Sequence, residues 1–135
     1  MSAIVNDLLN VSSLSQAAAS SNNRVPVTVT TTLDLNASGL SSTNCYYIMN
    51  PGASVAVTFP VNYAANRGRV LHFLNIANFA ITVPASGASS GVAKNLTTGN
   101  YNGGNLLPAV GATTTGVWVS LVCDGTSGWL AFASS

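Results

Sequence analysis

The side chains able to do chemistry are few: one histidine, two cysteines, three aspartates, four Lys/Arg and no glutamate in 135 residues. Any histidine mechanism must run through His72. It alternates with Leu71 and Phe73, which places it on the opposite, more solvated face of a strand and makes it a surface or interface histidine. A partner carboxylate would have to be Asp7, Asp34 or Asp124, and nothing in the sequence sets any of them beside it. Three dispersed aspartates poorly supply paired-carboxylate hydrolysis, and calcium or zinc sites would need ligand clusters that the spacing does not offer. The string Gly87-Ala88-Ser89-Ser90-Gly91 matches G-x-S-x-G, in which a strand-to-helix turn exposes a nucleophilic serine. Here it follows Pro84 in a Ser/Gly-rich stretch with no helical pattern after it, so Ser89 as a nucleophile is the minor, esterase reading. Cys45 and Cys123 sit in strand-like runs and are expected as small buried hydrophobes, with an intrachain disulfide as the alternative. Arg67-Gly68-Arg69 puts two cations beside a tight turn. They read as a solvated loop or, at a subunit interface, as partners for Asp34 or Asp124 of a neighbour. Arg67, Arg69 and His72 are thus the candidate polar interface residues, and no enzyme activity and no cofactor are expected.

Charged residues make up 5% of the chain, against roughly 25% in typical soluble domains. A net charge of +1 from scattered cations cannot neutralise a nucleic-acid backbone, so no nucleic-acid partner is expected. No apolar run approaches the ~20 residues of a membrane helix, and a membrane role is not expected. Residues 1–20 lack a basic n-region and are interrupted by Asn6, Asp7 and Asn10, which argues against a secretory signal. Sequons at Asn10, Asn36 and Asn95 are expected by chance in so Asn-rich a chain.

The elements that must position these residues divide near Asn22–Asn23. In residues 1–23, Ile4, Leu8 and Val11 fall at helical spacing with Val5, Leu9 and Leu14 close by, followed by a small-residue stretch. This reads as a partly helical arm, too short to be stable alone, which must dock on its own body, a sister subunit or another protein. Residues 24–135 read as β throughout. Val25, Val27 and Val29 alternate, and Pro26 marks an edge strand. Further runs lie at Cys45–Met49, stopped by Asn50-Pro51-Gly52, and at Val55–Phe59, stopped by Pro60. Arg69–Ile76 and Phe79–Val83 flank Ala77-Asn78, a hairpin by spacing. Residues 84–105 read as a long loop with one short strand near Val92–Leu96. Val117–Val122 and Trp129–Phe132 flank an Asp124-Gly125 turn. Roughly seven to nine short strands with frequent turns predict an all-β β-sandwich or jelly-roll-like barrel with an N-terminal arm. No internal repeat stands out.

Two segments carry a resemblance. Gly68-Arg69-Val70-Leu71-His72-Phe73-Leu74-Asn75-Ile76, with Phe79-Ala80-Ile81-Thr82-Val83, resembles the "GRVLTIKN…VTV" pattern of tailed-bacteriophage virion β-domains. Val119-Ser120-Leu121-Val122-Cys123-Asp124-Gly125-Thr126-Ser127-Gly128-Trp129 resembles their closing "VTLVSDGTNW" hairpin. The likeness spans Gly68 to Phe132 and departs at Cys123, where Ser is common, and at the extra Gly128. Such domains serve in tail fibres and as head decoration (cement) proteins, usually as homotrimers. A fibre module usually sits in a long chain with shaft repeats. One domain plus an arm beginning at Met1 is the pattern expected of a decoration protein on the outer surface of a phage head, assembled in the host cytoplasm. The resemblance therefore implies a homotrimer bridging major capsid proteins, with both cysteines as free thiols. Ile4, Val5, Leu8, Leu9, Val11 and Leu14 would then contact a neighbouring subunit or the shell. The alternative is a glycan-binding receptor module of a tail, with Tyr46, Tyr47, Tyr63, Tyr101 and Trp118 as its aromatic groove.

Overall fold

A computed structural model describes residues 26–36, 46–111 and 116–135. The expected arm, Arg24 and Cys45 lie outside the described residues. Among those described, eleven strands form two sheets that enclose one core, a β-sandwich; apart from a single 3-10 turn at Ala64–Asn66 there is no helix.

The first six strands are β1 (Val27–Val29), β2 (Leu33–Asp34), β3 (Tyr46–Met49), β4 (Val55–Thr58), β5 (Val70–Asn75) and β6 (Ile81–Val83). They alternate between the two sheets. β1, β3 and β5 pair in parallel, as do β2, β4 and β6. The chain therefore winds as three stacked coils, each with one strand per sheet. The remaining strands close this winding: β7 (Ala93–Asn95), β8 (Gly99–Asn100), β9 (Gly104–Leu107), β10 (Val117–Cys123) and β11 (Trp129–Ser134). β10 pairs antiparallel with β5, and β9 antiparallel with β6. The larger sheet has the order β1-β3-β5-β10-β11-β7-β8, and the smaller the order β2-β4-β6-β9. Parallel pairing on this scale excludes an antiparallel jelly roll and leaves the sandwich of the two expected architectures.

Two expectations are corrected. Arg69–Ile76 and Phe79–Val83 are not a hairpin, because β5 and β6 belong to different sheets and the chain arches across the core between them. The arch is held by Asn75. Its amide nitrogen donates to the carbonyls of Phe79 (2.9 Å) and Pro108 (2.8 Å), and its oxygen accepts from the Ala77 N–H (3.0 Å). Residues 84–105 hold two short strands and the start of a third rather than one. Asn102 organises that stretch in the same way, donating to the Pro84 and Gly91 carbonyls and accepting from the Ala93 N–H. Coil stacking also supplies a repeat that the sequence hides, since Val27, Tyr47 and Phe73 share a rung at unequal offsets.

Period-2 patterning sorts the side chains as expected. Met49, Leu71, Phe73, Val119, Leu121 and Trp129 face inward and are buried. Tyr47 stacks on Phe73 across a rung (centroids 5.4 Å), and Phe59 meets both Phe73 (5.8 Å) and Trp129 (5.9 Å). The Trp129 indole N–H donates to the Pro60 carbonyl (3.1 Å), which satisfies its one polar atom in the core. Pro26 precedes β1, which is indeed an edge strand.

Candidate functional site

The inward face of the seven-stranded sheet is core, so function must be sought on its outward face and in the loops. On β3, β5 and β10 the outward positions are Tyr46 and Ile48, then His72 and Leu74, then Trp118 and Ser120. The register aligns Tyr46 with His72 and His72 with Ser120, and likewise Ile48 with Leu74 and Leu74 with Trp118. Together with Pro26 they line an open groove of about 380 Å³.

His72 is half-buried on the outer face, as its alternation predicts. Its ring stacks on Tyr46 (4.5 Å between centroids, 11° between planes), and its Nδ1 lies 2.7 Å from the Ser120 hydroxyl. Burial pushes the imidazole pKa below its ordinary value, which favours the neutral ring. A histidine in hydrogen-bond reach of a serine is the nucleophile–base half of a hydrolytic triad. Ser120, however, lies mid-strand and buried, so its oxygen is not presented at a strand-to-helix turn as the attacking serine of such sites is. The sheet register alone accounts for the contact, as a cross-strand pair. Sequence reasoning missed Ser120 because nothing local signals a register between residues 48 positions apart.

The other flagged residues lie apart from this groove. Ser89 is exposed in the loop after β6, and the neighbouring Ser90 hydroxyl is buried without a partner. Arg69 donates to the Asn66 side-chain oxygen (3.1 Å), and the Arg67 stem lies over Gly125 of the same chain. The three candidate polar interface residues thus do not form one cluster: the arginines border the β10–β11 turn, while His72 stands on the sheet face. Asp124 is the turn residue expected. Its carboxylate accepts from the Ser127 hydroxyl and from the backbone N–H groups of Thr126, Ser127 and Gly128, which holds its pKa well below the usual carboxylate range. Cys123 is a free, buried thiol whose S–H donates to the Tyr63 carbonyl, and burial raises its pKa.

Of the aromatics expected to form a glycan groove, only Tyr46 and Trp118 present their rings together. Tyr47 points into the core, the Tyr63 hydroxyl accepts from the Val92 N–H (2.9 Å), and Tyr101 is bonded to Asn95.

A second apolar area lies on the outward face across β10, β11 and β7. There Val122, Leu130, Leu96 and Phe132 border a depression of about 520 Å³. Leu96 is 80% and Phe132 57% exposed, the most exposed large hydrophobics among the described residues. No group of three or more His, Cys, Asp or Glu comes together among the described residues, and no helix there is long and apolar enough to cross a membrane. In comparisons with family models, curated proteins and solved structures, nothing matches the chain.

Proposed function

We propose that this chain is a structural virion protein, a bacteriophage capsid decoration protein that works as a homotrimer and bridges major capsid proteins on the outer surface of the head. It carries out no catalysis and uses no cofactor, nucleic acid or membrane. The observation that carries the reading is the outward patch around Leu96, Val122, Leu130 and Phe132. Contiguous exposed apolar surface on a small body marks a site of association. A chain with so few charges packs in many copies with little electrostatic repulsion and little sensitivity to salt. The sequence resemblance adds to this, because its two segments supply β5 and most of β10, adjacent strands of the large sheet, together with β6 of the smaller one. A trimer seated over a local three-fold axis staples neighbouring capsid subunits, and its binding energy opposes rupture of the shell. Binding only to the expanded shell would stabilise that state by linkage.

The deciding experiment mixes purified protein with undecorated heads and with tails of the source particle and images both by electron microscopy. Density on heads is expected, with light scattering giving a trimer mass in solution. Binding confined to tails, or a monomer at micromolar concentration, overturns the proposal. The Tyr46–Trp118 pair keeps one second reading in play, a glycan-binding tail module. Specific signals on a glycan array, lost in Trp118→Ala, would favour it.

A further inference from the structure

The groove at the β1 side of the outer face is a different surface from the Leu96–Phe132 patch, and what covers it can be read from where the chain enters the sheet. The groove is lined chiefly by Pro26, Tyr46, Ile48, His72, Leu74 and Trp118. Within it His72 Nδ1 and Ser120 Oγ are bonded to each other, and no Asp, Glu, Lys or Arg is in the lining, so it suits an uncharged, largely apolar occupant. Val27 pairs with Tyr47, and Tyr47 with Phe73. The residue before Val27 therefore stands at the rung of Tyr46 and His72, and residues 1–25 join the body at the groove's own rim.

The sequence upstream of that rim is suited to the space. Ile4, Val5, Leu8, Leu9, Val11 and Leu14 are followed by the Ser/Ala/Asn-rich stretch Ser15–Val25. Eleven residues of random-coil chain have a root-mean-square span of about 18 Å. Crossing from β1 to β10 takes three strand spacings, about 14 Å. Eleven residues are thus enough to cross the groove's width, and a tether of that length would present the apolar residues to it at an effective concentration of order millimolar. A separate molecule at micromolar concentration competes at roughly a thousandfold disadvantage. Asp7 is the one charged residue in 1–23, so no excess of charge opposes burial.

We propose that residues 1–14 lie across the groove of their own chain, with the apolar side chains of this segment against Tyr46, Ile48, Leu74 and Trp118. The inference is independent of the virion reading.

The test uses the full chain with p-benzoylphenylalanine in place of Leu8, prepared as a mixture of unlabelled and 15N-labelled protein, illuminated, digested and mapped by mass spectrometry. Crosslinks within one isotopic species to the peptides holding Tyr46–Met49, Val70–Asn75 or Val117–Ser120 are expected. Mixed-isotope crosslinks, crosslinks elsewhere on the body, or none, overturn the proposal. A second readout uses the double variant Leu8→Asp, Leu9→Asp. Trp129 is fully buried, so acrylamide quenching reports on Trp118. Uncovering that indole is expected to raise its quenching constant about twofold. A constant unchanged from the parent chain overturns the proposal. Failure here alongside trimers that still decorate heads would leave the proposed function standing, so the two fail separately.

Discussion

Replacing Asn75 should cost more than any other polar substitution in the body. The side chain is fully buried at the end of β5, where the chain leaves one sheet for the other, and three of its four hydrogen-bonding positions are used. Asn75→Ala orphans the carbonyls of Phe79 and Pro108 and the N–H of Ala77 together. Each such bond is worth about 1 kcal/mol net, and a buried group left unpaired costs about 1–3 kcal/mol. Three losses amount to about 3–5 kcal/mol once some water enters, a large share of the roughly 5–15 kcal/mol that holds a domain folded. Asn75→Asp separates hydrogen-bond loss from lost volume. It keeps the shape and the contact to Ala77 but sets carboxylate oxygen against two carbonyls, so its folded pKa is raised. A raised folded pKa means that the folded state holds the proton longer. The variant should be least impaired below about pH 4 and lose stability as pH rises from there to the folded pKa. Equilibrium urea unfolding followed by far-UV circular dichroism at several pH values measures both. A cost under about 1 kcal/mol for Asn75→Ala, or a pH-independent cost for Asn75→Asp, would refute the account of the arch.

Three further outcomes follow from the geometry. Gly128 has φ +152°, and a Cβ there would stand 2.7 Å from the Val92 carbonyl oxygen, which also accepts the Trp129 N–H. Gly128→Ala should therefore lower stability by about 2–4 kcal/mol in denaturant unfolding, and a loss under about 0.5 kcal/mol would contradict the contact. His72 has a folded pKa lowered by burial, so the unfolded chain takes up the proton first. Stability should fall as pH drops below about 6.5, and His72→Gln should remove that slope from the urea midpoint. Asp124 has a depressed folded pKa, so its contribution is present above about pH 4 and lost as pH falls through the folded value; Asp124→Ala should flatten the acid limb of the unfolding profile.

Strand faces were legible because the sheet period is two. Val57, Leu71, Phe73, Val119 and Leu121 point inward and His72 outward, as alternation requires. The β5–β6 connection was not legible by that rule. Ala77-Asn78 between two apolar runs has hairpin spacing, yet Ala77 is ill suited to the positive φ that both central residues of a type I′ turn need. The signal for an arch was Asn75, whose amide takes up the turn's backbone groups. Asparagines read as background composition work the same way at Asn102 and at Asn95, which accepts from the Thr97 and Thr98 N–H groups. In a chain with almost no ion pairs to form, amides fasten the loops. The winding stayed hidden because unequal coil offsets leave no fixed period. Gly128, which stood out as a departure from the phage-like pattern, is explained by its close approach to Val92. The groove was half legible: His72 was placed outward and Tyr46 and Trp118 were named among candidate groove aromatics, but the His72–Ser120 contact and the shared rungs needed the register.

A stack of parallel coils raises a hazard that its sequence must answer. Each open end presents unpaired N–H and C=O groups to any other strand. On one side the answer is reversal. β10 and β9 run antiparallel to β5 and β6 and end the winding, and the edge strands left on that side, β8 and β9, are short, with two and four residues. On the other side the outermost strands are kept short, β1 with three residues and β2 with two. Pro26 brings no donor to that edge, and the Asp34 carboxylate there accepts from the Asn36 N–H (2.9 Å). Edge pairing, which propagates without limit, is discouraged at both ends. What remains available for association is the outward face of the large sheet, where side chains such as Leu96 and Phe132 are exposed. Face contacts can close at a fixed number of copies, whereas head-to-tail strand addition can run on into a filament. That division between short edges and an open face is what the proposed trimer would need, to meet many identical neighbours and still stop at three copies.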